Sequence, residues 1–264
     1  MNIAVCLKQV PDTDARIKPM ADGSGIETDG IKYITNPYDE LALEAALQLK
    51  DAKIASSVVV LTLGGAATEK QIKDALARGA DSAVRVDDPG LAGSDALGIA
   101  RALAAAAQKA EASLILCGKQ AIDGDSSQVP AMMAEFMGCA QISVVNELSV
   151  EGNTVTAARV MGGGSVDVVT AEMPAVVTCE KGLNEPRFAS MKGIMMAKRK
   201  KILVWGLADL GLDASQVGAA GALVEESAFG APPARPSGRI LDAGSPEATV
   251  AELVKLLREE AKVI

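Results

Sequence analysis

Residues Ser57 to Arg78 read SVVVLTLGGAATEKQIKDALAR. The opening run is apolar and rich in β-branched valine, the composition of a strand covered on both faces. Gly64-Gly65 ends it, a helix is predicted from about Thr68 to Arg78, and Gly79 stops that helix. A buried strand, a glycine turn and a helix in succession make the repeating step of a parallel sheet with crossover helices.

The same alternation extends to both sides. Asn2 to Leu7 is an apolar strand. Asn36-Pro37-Tyr38-Asp39 opens a helix from about Glu40 to Lys50, with Asn36 as the expected cap, Pro37 in the first turn, and Asp39 and Glu40 favoured by the dipole. Downstream, Ser82 to Val86 is a short strand, Ser94 is the expected cap of an Ala-rich helix from Asp95 to Gln108, and Ser113 to Cys117 is a strand ended by Gly118. A further helix is predicted from near Gln128 to Met137. Four strands follow: Gln141 to Val145, Thr154 to Arg159, Val166 to Thr170 and Ala175 to Cys179. With the turn Glu151-Gly152-Asn153, the strands from Gln141 onward read as an antiparallel extension. The predicted fold is therefore α/β, a mostly parallel doubly wound sheet with that extension.

Beyond Lys201 the periodic pattern thins. Ala219 to Gly244 is rich in Ala, Gly and Pro, including Pro232-Pro233 and Pro236, and reads as an extended arm. Glu247 to Lys262 is a final amphipathic helix, apolar at Val250, Leu253, Val254 and Leu257. The expected division is an α/β domain over residues 1–201 and an arm with its helix over residues 202–264.

Composition narrows the chemistry. The chain has 264 residues, is 49% hydrophobic and only 2% aromatic, so its core must be built from Ala, Val, Leu, Ile and Met. A net charge of −8 argues against general nucleic-acid binding. No apolar run approaches the roughly 20 residues that span a bilayer. Met1 to Cys6 enters an apolar strand without a basic n-region, so a signal peptide is not expected. Cys6, Cys117, Cys139 and Cys179 are scattered without metal-ligand spacing and read as small hydrophobes in a reducing, cytoplasmic compartment. With no histidine anywhere, Ser-His and Cys-His catalytic pairs and His-ligated metals are excluded within this chain.

Open α/β sheets bind ligands outside the carboxyl ends of their strands. Three such ends carry suitable residues: Cys6-Leu7-Lys8-Gln9, Leu63-Gly64-Gly65, and the loop Gly118-Lys119-Gln120-Ala121-Ile122-Asp123-Gly124-Asp125-Ser126-Ser127-Gln128-Val129. The last places hydroxyls and backbone amides before a helix N-terminus, an arrangement that favours anions, although Gly-Asp-Ser loops also serve as ordinary turns. Neither a Walker A nor a GxGxxG pattern is present.

A second segment stands out. Leu183 to Ile202 reads LNEPRFASMKGIMMAKRKKI. Pro186 and Gly193 mark a loop, Met191, Ile194, Met195 and Met196 are apolar, and Lys198-Arg199-Lys200-Lys201 is a cationic run. A flexible Met-rich surface beside basic charge suits partner docking. The same residues also fit a loop leading into a covered helix.

The motifs Asn184-Glu185-Pro186-Arg187, Ala189-Ser190, Ile194-Met195, Lys8-Gln9, Asn36-Pro37 and Gly118 to Asp123 together resemble the electron transfer flavoprotein beta subunit family over nearly the whole chain. The resemblance implies an adenine-nucleotide alpha hydrolase-like fold. It also implies that Leu183, Asn184, Glu185, Pro186, Arg187, Met191, Ile194, Met195, Lys198, Lys200 and Lys201 form a partner-recognition loop. Met191 stands where the family has a leucine anchor. The nucleotide pocket it implies comprises Cys6, Leu7, Lys8, Asn36, Leu63, Gly64, Gly118, Asp123, Gly124, Asp125, Ser126, Ser127, Gln128 and Val129.

The implied occupant of that pocket is AMP or a second FAD. The Asp123 to Val129 loop is closer to FAD-containing members, whereas Pro130 replaces a glycine usual there. The main FAD would sit in a partner alpha subunit, on which the arm and final helix would pack. The implied function is electron transfer from acyl-CoA dehydrogenase-like or other redox proteins to an acceptor. The alternatives are a subunit of an NADH-oxidising, electron-bifurcating flavoprotein, and a nucleotide-sensing α/β protein without a redox role. No catalytic residue and no metal are expected.

Overall fold

The computed structural model describes residues 1–235 and 237–264, so the arm residue Pro236 lies outside the described residues. The chain opens with β1 (Asn2–Cys6), followed by a small hairpin of β2 (Gln9–Pro11) and β3 (Tyr33–Thr35). Then come α1 (Pro37–Asp51), β4 (Ser57–Leu63), α2 (Glu69–Arg78), β5 (Ser82–Val86), α3 (Ala96–Lys109), β6 (Leu114–Gly118) and α4 (Val129–Met137). The second half carries β7 (Ala140–Glu151), β8 (Thr154–Val160), β9 (Val166–Glu172), β10 (Ala175–Cys179), α5 (Met191–Ala197), β11 (Ile202–Trp205), α6 (Leu207–Leu210), α7 (Gly218–Gly221) and α8 (Pro246–Glu259).

Nine strands form one sheet in the order β11-β5-β4-β1-β6-β10-β7-β8-β9. Pairing is parallel from β11 through to the first half of β7. Only β8 and β9 pair antiparallel, continuing from the second half of β7. Alternate residues of each central strand enter separate cores. Ile3 and Val5 pack with α1, α2 and Ala197 of α5, whereas Ala4 and Cys6 pack with α3 and α4. Each large aliphatic side chain fully buried this way contributes about 1.5–3 kcal/mol. With almost no aromatics, small alanines along α1 and α3 let those helices lie close to the sheet.

Four expectations are corrected. Ala175–Cys179 is not part of the antiparallel extension: β10 lies between β6 and β7, parallel to both. All five of its residues are buried, the environment of a strand with neighbours on both edges and helices on both faces. The division at residue 202 falls inside the sheet, because Ile202–Trp205 pairs with β5, and Leu207 and Val217 are buried in the same core as α3. Ser94 does not cap α3; Asp95 does, accepting from Gly98 N at 3.0 Å, while Ser94 Oγ donates to Leu91 O and accepts from Gly218 N. Asn36 occupies the cap position of α1, but its side chain makes no cap hydrogen bond and reaches elsewhere, as described below.

Past residue 222 the described chain has no helix or strand until α8. The arm is pinned by Leu223 N and Val224 N donating to Asp95 Oδ2 and by Phe229 N donating to Gly23 O. α8 contains no buried residue. Among the described residues, no helix is long and apolar enough to cross a membrane.

Candidate functional site

β1 has β4 on one side and β6 on the other. The chain fills the β4 side first and then returns to the β6 side, so the sheet changes direction at β1. Loops leaving neighbouring strands there diverge and open a crevice at the carboxyl ends. Leu7 and Lys8 leave β1, Gly64 leaves β4, and Lys119 to Gln128 leave β6.

One buried carboxylate joins two of these strand ends. Asp39 Oδ2 accepts from Lys8 N at 2.7 Å, and Asp39 Oδ1 accepts from Gly118 N at 3.0 Å. Asn36 Nδ2 donates to Asp39 Oδ1 at 2.9 Å and to Gln120 O at 2.8 Å, and Asn36 Oδ1 accepts from Ile122 N at 3.3 Å. The first turn of α1 therefore holds the β1 end, the β6 end and the start of the following loop. Gly118 has to be glycine for this: a Cβ there would stand 2.4 Å from Asp39 Oδ1 and 2.6 Å from Tyr38 Cβ. Burial pushes the Asp39 carboxyl up to about 7, against the pull of its hydrogen bonds from Lys8, Asn36 and Gly118.

The loop itself is shaped by polar side chains. Gln120 Nε2 donates to Asp125 Oδ1 at 2.6 Å, and Asp125 and Ser127 adopt positive φ of 49° and 54°. Lys8 Nζ lies 2.8 Å from Asp123 Oδ1. The lysine thus offsets Asp123, and the Gln120 amide occupies Asp125. No intrachain acceptor is found for the amides of Ser126, Ser127 and Gln128 among the described residues. They precede Val129 at the positive end of α4, so the exposed loop offers neutral donors and a hydroxyl rim to an anion. Across the crevice, Gly64 has φ +151°, and an added Cβ would meet Thr68 Cγ2 at 2.9 Å.

Leu7, Cys6 and Cys117 are buried beneath, and Leu63 and Val129 are half-buried. The Cys117 thiol is held well above its usual range by its hydrogen bond with Cys6 and by burial. Burial likewise pushes Cys179 up, with Asp39 adding to it. These thiols are neutral lining groups and not nucleophiles. No cluster of His, Cys, Asp and Glu among the described residues could hold a metal ion.

The Leu183 to Ile202 segment splits into fastened and free residues. Leu183 packs against the core, and Asn184 Nδ2 donates to Leu41 O at 3.0 Å. Arg187 grips Glu44 of α1 twice, through Nε at 2.8 Å and Nη2 at 2.9 Å, and reaches Asp51 through Nη1 at 2.8 Å. Lys200 Nζ donates to Ala80 O. Gly193 permits close contact, since a Cβ there would be 2.0 Å from Ala77 O, and α5 seats on the end of α2 at that point. Ser190 Oγ caps α5 by accepting from Gly193 N at 3.0 Å.

Much of what remains outside is apolar: Met191 is 77% exposed, Met195 64% and Phe188 94%, with Ile194 and Met196 beside them. Glu185, Lys198 and Lys201 are exposed, and Pro186 is half-buried. The sequence reading singled out Met191, Ile194 and Met195 but passed over Phe188, whose only signal was a lone aromatic in a chain nearly without them. It also gave Asp39 a dipole role and missed its place as the tie.

Comparison with known proteins agrees with this architecture. The electron transfer flavoprotein domain matches residues 24–210. The chain is 38% identical over its whole length to the electron transfer flavoprotein subunit beta of Bradyrhizobium diazoefficiens, which it also covers completely. It is 37% identical to the Bacillus subtilis protein of that name, with both chains covered in full. To the human protein of that name it is 38% identical over 81% of this chain and 84% of the human one. With its sheet, its strand-end crevice and full-length likeness in hand, the chain belongs to the electron transfer flavoprotein beta subunit family.

Proposed function

We propose that the crevice between the β1, β4 and β6 ends holds the adenosine phosphate part of AMP or of FAD. We also propose that the chain works in the cytoplasm with an alpha subunit carrying the main FAD, as an electron carrier between dehydrogenases and an acceptor. The observation that carries the reading is the Ser126-Ser127-Gln128 rim, three amides without an acceptor among the described residues, at the start of α4. Of the two nearby carboxylates, Asp123 is paired with the Lys8 ammonium and Asp125 is turned onto the Gln120 amide, so the loop presents its free amides to a phosphate. In this role Asn36, Gly118, Asp123, Gly124 and Asp125 shape the loop. Leu63, Gly64, Cys6 and Val129 line the crevice. When bound, the flavin supplies the electron chemistry, and the residues here bind and orient.

The partner surface in this reading is Phe188, Met191, Ile194 and Met195, with Lys198 and Lys201 steering an acidic partner toward it. Asn184, Arg187 and Lys200 brace the segment from behind.

The deciding experiment is nucleotide extraction from the co-purified heterodimer. One FAD with one AMP supports the simple carrier. Two FAD with NADH oxidation by the isolated complex supports the bifurcating reading, the Asp123 to Val129 loop being closer to FAD-containing members. Ser126→Ala should weaken nucleotide binding by roughly 0.5–1.5 kcal/mol, the net worth of one hydrogen bond. No bound nucleotide of either kind would refute the site.

A further inference from the structure

Among the polar groups at the strand ends, Asp39 is set apart. Its residue is 6% exposed, yet its two oxygens receive three donors from three different segments. None of those donors is a cation, although Lys8 Nζ stands nearby at Asp123. A buried carboxylate matched only by amides is an expensive way to cap a helix, because each desolvated oxygen must be answered. It serves better as a tie between parts that would otherwise move apart.

We propose that Asp39 is a positioning residue for the nucleotide loop, and that its ionised form is the one that holds the loop ready to bind. The proposal rests on the nucleotide reading of the crevice. The chain of contacts runs from Asp39 to Gly118 N directly, and through Asn36 to Gln120 O and Ile122 N. The same carboxylate fixes Lys8 N, and the Lys8 ammonium meets Asp123 inside the loop. Two routes therefore lead from one side chain to the two ends of residues 118–123. Protonation removes the cost of burying the charge, but it turns an acceptor lone pair into an O–H facing amide donors. One of the three hydrogen bonds is lost, and the loop loosens.

Charged and titratable groups face Asp39 from several elements. Lys8 comes from the β1 end, Lys119 and Asp123 from the β6 loop, Cys117 from β6 and Cys179 from β10. The Cys117 and Cys179 thiols are pushed upward, and Lys119 is held above its usual range by Glu180. The chain has no histidine to add an imidazole signal. With the Asp39 carboxyl near 7, the change falls at ordinary working pH. The sign follows: ionised Asp39 favours binding, so affinity is highest above pH 7 and falls on acidification, by at most about tenfold per unit.

The test uses the full heterodimer, stripped and re-titrated with AMP and separately with FAD from pH 5.5 to 8.5. The FAD pyrophosphate does not titrate in this range, whereas the AMP phosphate does near 6, so the FAD profile isolates the protein and the AMP profile carries the ligand's own titration in addition. Wild type should bind at least threefold more weakly at pH 6 than at pH 8. Asp39→Asn, which places an NH2 against an amide donor, should bind weakly, with a flat profile for FAD. Amide exchange over residues 118–128 should rise in the variant without any ligand.

Unchanged exchange in Asp39→Asn, or a wild-type profile equal to the variant's, overturns the proposal. Raised exchange in Asp39→Asn together with a wild type that takes up neither nucleotide would sink the nucleotide reading while leaving the tie intact. Should Asp39→Asn fail to fold, the wild-type FAD profile decides alone: a flat one overturns the proposal.

Discussion

Arg187 offers the sharpest quantitative test, because its sequence context suggests partner contact and its geometry shows an internal strap. Its guanidinium closes on the Glu44 carboxylate by two hydrogen bonds of 2.8 and 2.9 Å, and Arg187 N adds a third at 3.1 Å. The Glu44 side chain is only 6% exposed, while that of Arg187 is 33% exposed. Arg187→Met keeps the aliphatic stem and deletes the charge. Breaking a buried pair and stranding one charge costs about 3–5 kcal/mol. The open side of Arg187 lets water reach the stranded carboxylate, which lowers the expectation to about 2–3 kcal/mol.

For a chain of this size that corresponds to a fall in Tm of about 5–10 °C. Urea titration of Arg187→Met, Glu44→Gln and the double variant should show a coupling of at least about 1 kcal/mol, with the double variant less damaged than the sum. A partner-contact role predicts something different: an unchanged denaturation midpoint and slower partner reduction only. An unchanged midpoint, or strictly additive losses, would refute the strap.

Other expectations are simpler to check. Gly118→Ala should destabilise the fold by about 1–3 kcal/mol and lower nucleotide content, since its methyl collides with Asp39 and Tyr38; normal content by extraction would contradict this. Met191→Ala should leave Tm unchanged, because its side chain packs on little, while the partner's Kd rises roughly 5–30-fold in a binding assay. Ending the chain after Ala222 should leave urea stability intact, given that α8 buries nothing, and should weaken heterodimer formation in sedimentation. A marked stability loss would show that the arm belongs to the folded body.

The elements most legible in the sequence were those whose signal is local. The strands Ser57–Leu63, Ser82–Val86 and Ala175–Cys179 fall where their apolar runs place them. The crevice loops were legible because glycines and hydroxyls end those runs. What escaped depends on distant partners. β11 is four residues long, directly follows the basic run, and is a strand only because β5 offers an edge. β10 was recognised as a strand, but its place in the parallel core is fixed by β6 and β7, which no local pattern announces. The inward grip of Arg187 and Lys200 on α1 and Ala80 could not be told from an outward charge without knowing what stood behind them. Asp39 read as a dipole residue because the amides that claim it come from residues 8 and 118.

The tail beyond residue 222 has a consequence for how this chain can change. Its helix buries nothing against the body, and Ile240 in the arm is 95% exposed. Folding of the body therefore imposes almost no requirement on that stretch. Beyond the backbone ties at Leu223, Val224 and Phe229, substitutions there should cost little stability. The two regions answer to separate constraints along one polypeptide: residues before the arm to an internal core, and the tail to very little of it. A swap of tails between related chains should then leave the folded body as it is.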